Sequence, residues 1–457
     1  MKKILIIVPH EDDEINLAGG LIYSLKNKDN VYVTFVTNGD FIYKAKYRYM
    51  EAIKSLGILG VKKDNIIFLG YADQAYDQSN HMYNSEKDWT SKSGRYETYG
   101  ALNINEWNYK KHGEHCKYNK SNVTRNIKEI ILDIMPQEIL CVDLDFHPDH
   151  IMTSLCFEKA MGEILNECKE YRPEVLKTFT YENSYMGKKD FFLKDNYSKF
   201  EIEKSGALKN NPYYNIRDGI KIPIKKLCYS LNLFKNPVFK AIKAHVSQIL
   251  VKHATSIINK DLVYWKRETD NLLNDAIIKT TSSDSKYLHD FLLADTKNVL
   301  KGNINPILYS EKIWIPDEKD DKKIVYIDFK KAKYVDCIKI YNGRINNEFI
   351  KKILVTIDGK EQRIDLKYKF VNEIEVKKNC TTITVKVLDK ICKNGFSEIE
   401  ALSNSKRKVF LYDYLDNENG ENKHQSKIHR NIEIIFDKLY LKILCFIMKI
   451  ERKIFVR

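Results

Sequence analysis

Two short stretches of the chain bring together residue types that bind divalent metals. The first stretch is VPHEDDE at residues 8–14, in which one histidine precedes four carboxylates: His10, Glu11, Asp12, Asp13 and Glu14. The second stretch is HPDH at residues 147–150. Neighbouring carboxylates repel each other and lose hydration on burial, so such a cluster needs a compensating positive charge. A divalent cation supplies that charge, and imidazole with carboxylate is a common zinc donor set.

We interpret His10, Asp13 and His150 as the ligands of a facial or tetrahedral metal site that keeps one position open. Asp12 would then stay free to act as a base. His147 precedes His150 by three residues, so both can face the site from the first turn of one helix. Each motif alone is common in proteins that bind no metal. Their coincidence at the ends of strands of one sheet carries the interpretation.

The pattern around the two motifs predicts an α/β domain. Short apolar runs predict buried strands at 3–8, 31–36, 66–69 and 139–142. Helical periodicity and helix-stop signals predict helices at 17–25, 43–59 and 121–135, with another that opens at residue 147. Strands that alternate with helices predict a Rossmann-like, mostly parallel sheet with flanking helices. Ligands of such sheets bind at the carboxyl ends of the strands, where both motifs lie.

The remaining segments divide the chain further. Residues 71–120 are polar and irregular, which is typical of an active-site loop region. Short alternating strands from about residue 306 predict an all-β sandwich. The expected ranges are an α/β domain at 1–300 with a helical insertion around 218–260, a sandwich at 301–404, a linker at 405–427 and an amphipathic basic helix at 428–457.

Composition narrows the class of protein. The chain has 457 residues, of which 43% are hydrophobic, so it is globular and long enough for two to three domains. The net charge is +14, but no Arg-rich arm or nucleic-acid motif occurs, so we expect no nucleic-acid partner. Nine scattered cysteines without a CxxC favour a reducing compartment. The first apolar run is too short for a signal peptide. The sequence contains no run of 18 uncharged residues, so we predict no membrane span.

Five ordered segments resemble motifs of one enzyme family, the PIG-L/LmbE-like zinc-dependent N-acetylglucosaminyl deacetylases. In family notation these motifs are (A/P)HPDDE at 9–14, TNG(D/E) at 37–40, RxxE at 48–51, FLG(Y/F)xD at 68–73 and HPDH at 147–150. The resemblance covers about residues 1–190. It departs from the family at Glu11, where proline is usual.

The resemblance implies Zn²⁺ as cofactor, or another divalent metal, held by the three ligands named above. Asp12 would be the general base that takes a proton from the attacking water. His147 would stabilise the oxyanion or protonate the leaving amine. Arg48 and Asp149 are assigned to substrate binding, and Asp149 is also a candidate for orienting a histidine. The implied activity removes the N-acetyl group from an N-acetylglucosamine-type sugar of a glycoconjugate or glycolipid.

The segment KNGFSEIEAL at 393–402 resembles the last strand of discoidin-like (factor 5/8 C-type) sandwiches, whose loops bind sugars or lipid headgroups. Tyr309 and Trp314 are candidates for such a loop. Two other functions stay open. One is a carbohydrate-binding protein with a vestigial deacetylase domain. The other is a metal-dependent glycosyltransferase in which Asp143 and Asp145 form a DxD motif.

The last segment repeats apolar residues at 432, 436, 439, 443, 446 and 450 and carries several lysines. Three interpretations compete: docking on the protein's own domains, a short coiled coil, or a basic amphipathic helix on an anionic membrane. The basic segments at 222–253 favour membrane proximity. The basic segments lead us to expect peripheral contact with anionic membrane or glycolipid through 222–253 and 428–457. The family resemblance leads us to expect an N-acetylated sugar as substrate. We expect the protein in the cytoplasm, either free or bound peripherally to the inner face of the membrane.

Overall fold

The structure is a computed structural model, and its helices and strands form an α/β domain, a β-sandwich and a C-terminal helix. It describes residues 2–74, 81–84, 87–145, 147–180, 219–230, 232–282, 284–293, 312–343, 349–367, 371–390, 394–404, 409–415 and 427–455.

The first domain is built on a seven-stranded mixed sheet. Its strands are β1 (Ile4–Val8), β2 (Val31–Thr37), β3 (Ile66–Tyr71), β4 (Glu138–Val142), β5 (Glu174–Thr178), β6 (Ile220–Pro223) and β7 (Asp261–Arg267). The order is β3-β2-β1-β4-β5-β7-β6, in which the first five strands are parallel and the last two pair antiparallel. The predicted mostly parallel, Rossmann-like sheet is confirmed.

Seven helices accompany this sheet in the described residues. They are α1 (Asp13–Ser24), α2 (Ala45–Leu59), α3 (Trp107–His112), α4 (Lys120–Ile134), α5 (Pro148–Glu167), α6 (Pro237–Ile242) and α7 (Ala254–Ile257). Helix α5 begins with Pro148 at a position where a missing N–H costs nothing. Helix α1 begins four residues earlier than the periodicity predicted, because the metal-motif carboxylates themselves form its first turn.

The strand order creates a crevice between β1 and β4. From β1 the chain moves outward to β2 and β3, whereas β4 and β5 lie on the other side of β1. The connections that leave β1 and β4 therefore diverge, and such a switch point is where parallel α/β sheets bind ligands. Both metal motifs follow these two strands directly, His10 after Val8 and His147 after Val142 and a short loop.

The segment at 218–260 differs from the predicted helical insertion. Residues Ile220–Pro223 form an edge strand, followed by short 3₁₀ turns and the two short helices α6 and α7. Alternating Ile220 and Ile222 favour a strand, and Pro223 can end one because an edge position needs no N–H donor there. The apolar side chains of α6 are buried, so this segment belongs largely to the core of the domain.

The second domain is an all-antiparallel β-sandwich, as predicted. Its strands are β8 (Ile277–Thr280), β9 (Ile324–Asn342), β10 (Ile350–Ile357), β11 (Lys360–Asp365), β12 (Val371–Lys390) and β13 (Phe396–Leu402). The alternating pattern predicts separate strands at 325–329 and 337–341 and at 373–376 and 382–387. The structure joins each pair into one long strand, β9 and β12, whose pairing shifts register at two places. Bulges let a long strand bend without ending. Strand β11 escaped prediction because it is a charged, exposed edge strand.

The sandwich and the first domain share contacts. Strand β8 pairs with β9, so the sandwich takes a strand from before residue 301. Arg267, at the end of β7, lies 3.3 Å from the Glu398 carboxylate of β13 and donates to the Phe291 carbonyl. Trp314 is fully buried and stacks on Phe396, which contradicts its placement in a binding loop. Tyr309 lies outside the described residues.

The polar segment at 405–427 and the C-terminal helix follow the sandwich. Of the predicted linker, residues 409–415 pack on the first domain through buried Val409, Leu411 and Leu415. The C-terminal helix α8 (Lys427–Phe455) is confirmed. None of the described helices is long and apolar enough to cross a membrane.

Glu138→Gln should stabilise the protein at alkaline pH. Glu138 is buried beside Glu174 in the β4–β5 register, and burial and this neighbour raise the pKa of Glu138 to about 9. The stability from its protonated form is complete below the ordinary pKa of 4.5 and is lost as the pH rises through about 9. At pH 9 we expect the free energy of unfolding of the variant to be roughly 2–5 kcal/mol higher than that of the parent protein.

Urea unfolding at pH 5 and pH 9 measures the difference, and Glu375→Gln, at an exposed site on the sandwich, is the control that should change neither value. An identical pH dependence in the parent and Glu138→Gln would contradict the assignment.

Candidate metal and catalytic site

The loop after β1 is fixed before any ligand is considered. Thr37, the last residue of β2, donates both its N–H and its hydroxyl to the Pro9 carbonyl. The Asp13 N–H donates to the His10 carbonyl, and the His10 N–H donates to the Asp13 carboxylate. Asp13 also lies in the first turn of α1, where the helix dipole favours a negative charge. The turn therefore holds His10 and Asp13 side by side.

Three donor atoms from the two motifs form a compact triangle. His10 Nδ1 lies 3.0 Å from Asp13 Oδ2, and His150 Nε2 lies 3.3 Å from each of them. Tetrahedral zinc with bonds of about 2.0–2.1 Å separates its ligand atoms by roughly 3.3 Å. The spacing and the chemistry of this donor set therefore fit a tetrahedral divalent metal. All three side chains are buried.

Each histidine of the triangle contacts a second carboxylate through its other ring nitrogen. Asp145 Oδ2 lies 2.7 Å from His150 Nδ1, and Asp149 Oδ2 lies 3.1 Å from His10 Nε2. A carboxylate that accepts the N–H of one nitrogen leaves the other nitrogen with its lone pair, which is the form that binds a metal. Thr180 adds a hydroxyl 2.9 Å from His150 Nδ1. These three side chains thus aim both imidazole lone pairs at one point.

Asp149 contacts the Nε2 side of His10 and is fully buried. Its Oδ2 faces His10 and accepts the Gln74 N–H, and its Oδ1 lies 2.7 Å from His81 Nε2. Burial would raise the pKa of Asp149, but the hydrogen bonds and charges of His10 and His81 hold it well below its usual range. Contacts on both oxygens favour the orienting role over contact with substrate.

His147 lies at the edge of the triangle as the N-cap of α5. Its Nδ1 accepts the Asp149 N–H, and its ring centre is 4.7 Å from that of His10 and 4.9 Å from that of His150. Burial, together with His10 and His150, lowers the pKa of His147 well below its ordinary value. A neutral imidazole whose Nδ1 is an acceptor carries its proton on Nε2. His147 is therefore a hydrogen-bond donor.

Other donor groupings share the same space. Within the described part of the chain, the groups able to hold a metal include His10 with His147 and His150, and His10 with Asp73, His147 and Asp149. Asp73 Oδ1 lies 3.5 Å from His10 Nε2, on the side away from Asp13. The two ring nitrogens of His10 thus face two different donor sets, Asp13 and His150 at Nδ1 and Asp73 and Asp149 at Nε2.

The charges around the triangle favour a cation. Burial lowers the pKa of His150, but the carboxylates of Asp145 and Asp13 outweigh it and raise that pKa to about 9. The pKa of His10 is likewise raised, against burial, by Asp73, Asp13 and Asp149. Burial would raise the pKa of Asp13, yet His150 and His10 hold it well below its usual range. The carboxylates thus draw protons onto the imidazoles, and a divalent metal satisfies the same field.

Asp12 directly precedes the ligand candidate Asp13, and its carboxylate is fixed by Arg48. Asp12 Oδ1 accepts from Arg48 Nη2 at 2.9 Å, and its side chain keeps 14% of its surface exposed. Arg48 is buried, with Nε 3.6 Å from Glu11 and Nη1 donating to the Ser247 hydroxyl. Arg48 thus supports Asp12 from behind, which favours a positioning role over the expected contact with substrate hydroxyls.

Glu11, the position at which the sequence departs from its family, belongs to this support. Its carboxylate is fully buried, and burial raises its pKa well above the usual value, although Arg48 opposes the shift. Gly39 has φ +55°, and a Cβ there would lie 2.4 Å from both Arg48 Nε and Glu11 Oε2. The TNG turn therefore needs glycine so that Glu11 and Arg48 can meet.

The DxD motif does not face an open nucleotide site. Asp143 is buried, with Oδ1 2.8 Å from Lys177 Nζ, and Ser154 donates to the same oxygen. Lys177 is fully buried and also lies 2.6 Å from Glu158. Asp145 supports His150. Both carboxylates are occupied within the domain, so the glycosyltransferase alternative loses its basis.

Several contributors were absent from the predicted site. Asp145 stands two residues before His147 at the end of a strand, and Asp73 closes the FLGYxD motif, so their positions could have indicated them. His81 sits in the irregular loop region with no informative spacing. Glu11 stands out in the sequence as the departure from the family motif, but its contact with Arg48 depends on packing.

Asp145→Asn should weaken metal binding by about 10–100-fold, because the amide cannot supply the charge that orients and polarises His150. Competition against a chromogenic zinc chelator measures the affinity. Asp133→Asn, at an exposed position on α4, should leave it unchanged. Equal zinc affinity in Asp145→Asn and the parent would remove Asp145 from the site.

Comparisons with solved structures match the chain to small carbohydrate-binding modules. The family 32 module of NanJ from Clostridium perfringens, solved with galactose, is 15% identical and covers 28% of this chain and 94% of its own, with a TM-score of 0.20. A fucose-binding module from Streptococcus pneumoniae is 17% identical and covers 29% and 95%, with a TM-score of 0.20. A chitosan-binding module from a Paenibacillus sp. IK-5 chitosanase/glucanase is 11% identical and covers 29% and 98%, also at 0.20.

No curated protein matches the sequence. The family comparison identifies the N-terminal domain instead, over the residues that contain β1 to β4 and both metal motifs. Residues 5–161 match the PIG-L family model, described as GlcNAc-PI de-N-acetylase, and the chain therefore carries a PIG-L domain.

Proposed function

We propose that this chain is a zinc-dependent N-deacetylase, a hydrolase that acts on a linear amide bond. Its substrate is an N-acetylglucosamine-type sugar of a glycoconjugate or glycolipid, and its products are acetate and the free amine. The family match supports the class of reaction. The observation that carries the proposal is the triangle of His10, Asp13 and His150, whose donor atoms are 3.0–3.3 Å apart.

His10 Nδ1, Asp13 Oδ2 and His150 Nε2 would hold the metal. Zinc bound there would polarise the amide carbonyl and acidify water, which are the two effects that amide hydrolysis needs. Asp145 and Asp149 keep the two imidazoles oriented, so that no reorganisation is needed when substrate binds.

Asp12 is the proposed general base. It is adjacent in sequence to the ligand Asp13, and its carboxylate has one oxygen held by Arg48 and part of its surface exposed. Arg48 fixes the direction of this carboxylate, and Glu11 and Glu51 in turn hold Arg48. The free oxygen of Asp12 is available to accept a proton from water.

His147 is the proposed donor to the reacting amide. Its Nδ1 is used by the Asp149 N–H, so its Nε2–H points away from the α5 backbone. A neutral imidazole can donate a hydrogen bond to a developing oxyanion and pass a proton to the leaving amine. The neighbouring imidazoles and burial keep it neutral, as its lowered pKa indicates.

Asp12→Asn should retain metal and lose turnover by about 10²–10⁴-fold, because an amide cannot accept the proton of the attacking water. Acetate release from N-acetylglucosaminyl lipids, nucleotide sugars and simple glycosides measures the turnover and identifies the preferred substrate.

Glu51→Gln is the matched control, since Glu51 also lies against Arg48, 4.0 Å from Nη1. If Asp12 acts only as a partner of Arg48, the two variants should lose similar activity. Retained turnover in Asp12→Asn would assign the base elsewhere.

His150→Ala should lose bound zinc and, with it, turnover, because one of three protein ligands is removed. Elemental analysis of the purified protein gives the zinc content per chain. His112→Ala is the control, since His112 is partly exposed and pairs with Glu129 far from the site. A parent protein that takes up no divalent metal would favour the alternative, a carbohydrate-binding protein with a vestigial deacetylase domain.

We also propose that the protein works in a reducing compartment, the cytoplasm. None of the described cysteines forms a disulfide. Six of them are buried, namely Cys116, Cys141, Cys156, Cys228, Cys337 and Cys380, and Cys168 and Cys445 are half-buried. The buried thiols pack as small apolar groups, and burial raises the pKa of Cys141 and Cys228.

A further inference from the structure

Helix α8 docks on the first domain by one face only. Met448 is buried in the core of that domain, and Leu441 and Leu444 pack against the same core. Tyr440 accepts a hydrogen bond from Lys243 Nζ at 3.0 Å and stacks on Phe234 at 4.4 Å. Self-docking, one of the three interpretations of this segment, is therefore correct, but it uses residues outside the predicted seam.

The seam itself faces outward. At helical spacing, its residues and their neighbours form a continuous apolar stripe, about 120° wide, on the side of α8 opposite the docked face. These side chains are all exposed, by 43–67%: Ile432, Ile435, Phe436, Leu439, Ile443, Phe446, Ile447, Ile450 and Ile454. A stripe of nine large apolar side chains extends through most of a 29-residue helix. Exposed apolar patches of this kind usually mark an interaction surface.

One flank of the stripe is basic. The exposed charged side chains that the structure describes on α8 are all lysines, namely Lys438, Lys442, Lys449 and Lys453. Their spacing of four, seven and four residues sets them in one row along the helix. The acidic Asp437 is buried on the docked side.

Two loops extend the apolar surface. Phe234, which stacks on Tyr440 of α8, is 61% exposed. Ile42, in the loop after β2, is 71% exposed, and its neighbour Tyr43 lies under the Arg452 guanidinium, 5.9 Å from the ring centre. Phe234 therefore extends the apolar surface beside Tyr440, and the loop with exposed Ile42 lies near the C-terminal end of α8.

The loop after β2 also leads to the metal site. Asp40 accepts the Asp73 N–H at 2.9 Å, and the Asp73 carboxylate lies 3.5 Å from His10 Nε2. Residues 41 and 42 follow Asp40 directly. The loop that begins at the rim of the site thus contacts the C-terminal end of α8 through Tyr43 and Arg452.

We propose that the outward stripe of α8, with Phe234 and Ile42, is a docking surface for an anionic lipid bilayer. The helix would lie in the plane of the interface with its apolar side chains among the acyl chains and its lysines at the headgroups. This inference concerns a surface distinct from the metal site and does not rest on the proposed activity.

The charge pattern favours a bilayer over a second copy of the chain. Paired helices place charged flanks against each other, and a lysine-only flank would meet lysine or would lack an acidic partner. The stripe is also wider than the two-position seam of a two-stranded coiled coil. Phe234 and Ile42 add apolar surface beside the helix, where a partner helix would not reach them.

Vesicle co-sedimentation of the full-length protein tests the proposal. We expect binding to vesicles of phosphatidylcholine with about 30% phosphatidylglycerol, weaker binding at high salt, and little binding to phosphatidylcholine alone. Phe436→Ser with Phe446→Ser should reduce affinity by at least about tenfold through lost apolar burial. Lys442→Gln with Lys449→Gln should reduce it about fivefold per lysine on the anionic vesicles.

Tyr334→Ser is the matched control, because Tyr334 is a comparably exposed aromatic on the sandwich. It should leave binding unchanged. All substituted side chains are exposed, and the thermal unfolding of each variant shows whether its fold is intact. Binding that is absent in the parent, or equal in the parent and the Phe436/Phe446 variant, overturns the proposal. So does a dimer, measured by sedimentation velocity, that this variant dissociates while no vesicle binding occurs.

Discussion

The site depends on one electrostatic constraint, the concentration of carboxylates around three imidazoles at the ends of β1 and β4. Asp13, Asp73, Asp145 and Asp149 surround His10, His147 and His150 in a space largely closed to water. Buried carboxylates are stable only when a positive charge or hydrogen-bond donors compensate them. The raised pKa of His10 and of His150 shows the strength of that field. A divalent cation in the triangle answers the same demand and leaves the imidazoles neutral.

The fold supplies this arrangement by its topology. Because β1 and β4 are neighbours whose following connections diverge, motifs separated by more than 130 residues meet at one edge of the sheet. Helices α1 and α5 both begin at that edge, and each places a carboxylate in its first turn. Behind Asp12, the Arg48 guanidinium and buried Glu11 form a second layer that fixes the direction of the proposed base. Glu11 therefore adds a buried acceptor beside Arg48 and leaves the donor triangle unaltered.

The sequence predicted what depends on local spacing and missed what depends on packing. The positions of His10, Asp13 and His150 follow from motifs at strand ends, and the alternation of strands and helices predicted the sheet. The motifs predict substrate binding for Arg48 and Asp149, whereas the contacts of Arg48 with Asp12 and of Asp149 with His10 and His81 depend on burial and side-chain direction, which a motif does not reveal. Helical periodicity revealed the stripe on α8, but the identity of the docked face depends on Tyr440, Leu441 and Met448 fitting the first domain. The continuity of β9 and β12 was missed because a bulge reads as a strand break in sequence.

We propose that the metal binds to the Nδ1 side of His10, with Asp13 and His150, and not to the Nε2 side, with Asp73 and Asp149. The anomalous scattering of a zinc-loaded crystal, measured on either side of the zinc absorption edge, tests it most directly. We expect one strong peak within about 2.0–2.2 Å of His10 Nδ1, Asp13 Oδ2 and His150 Nε2. A peak bonded to His10 Nε2 and the carboxylates of Asp73 and Asp149 would contradict it.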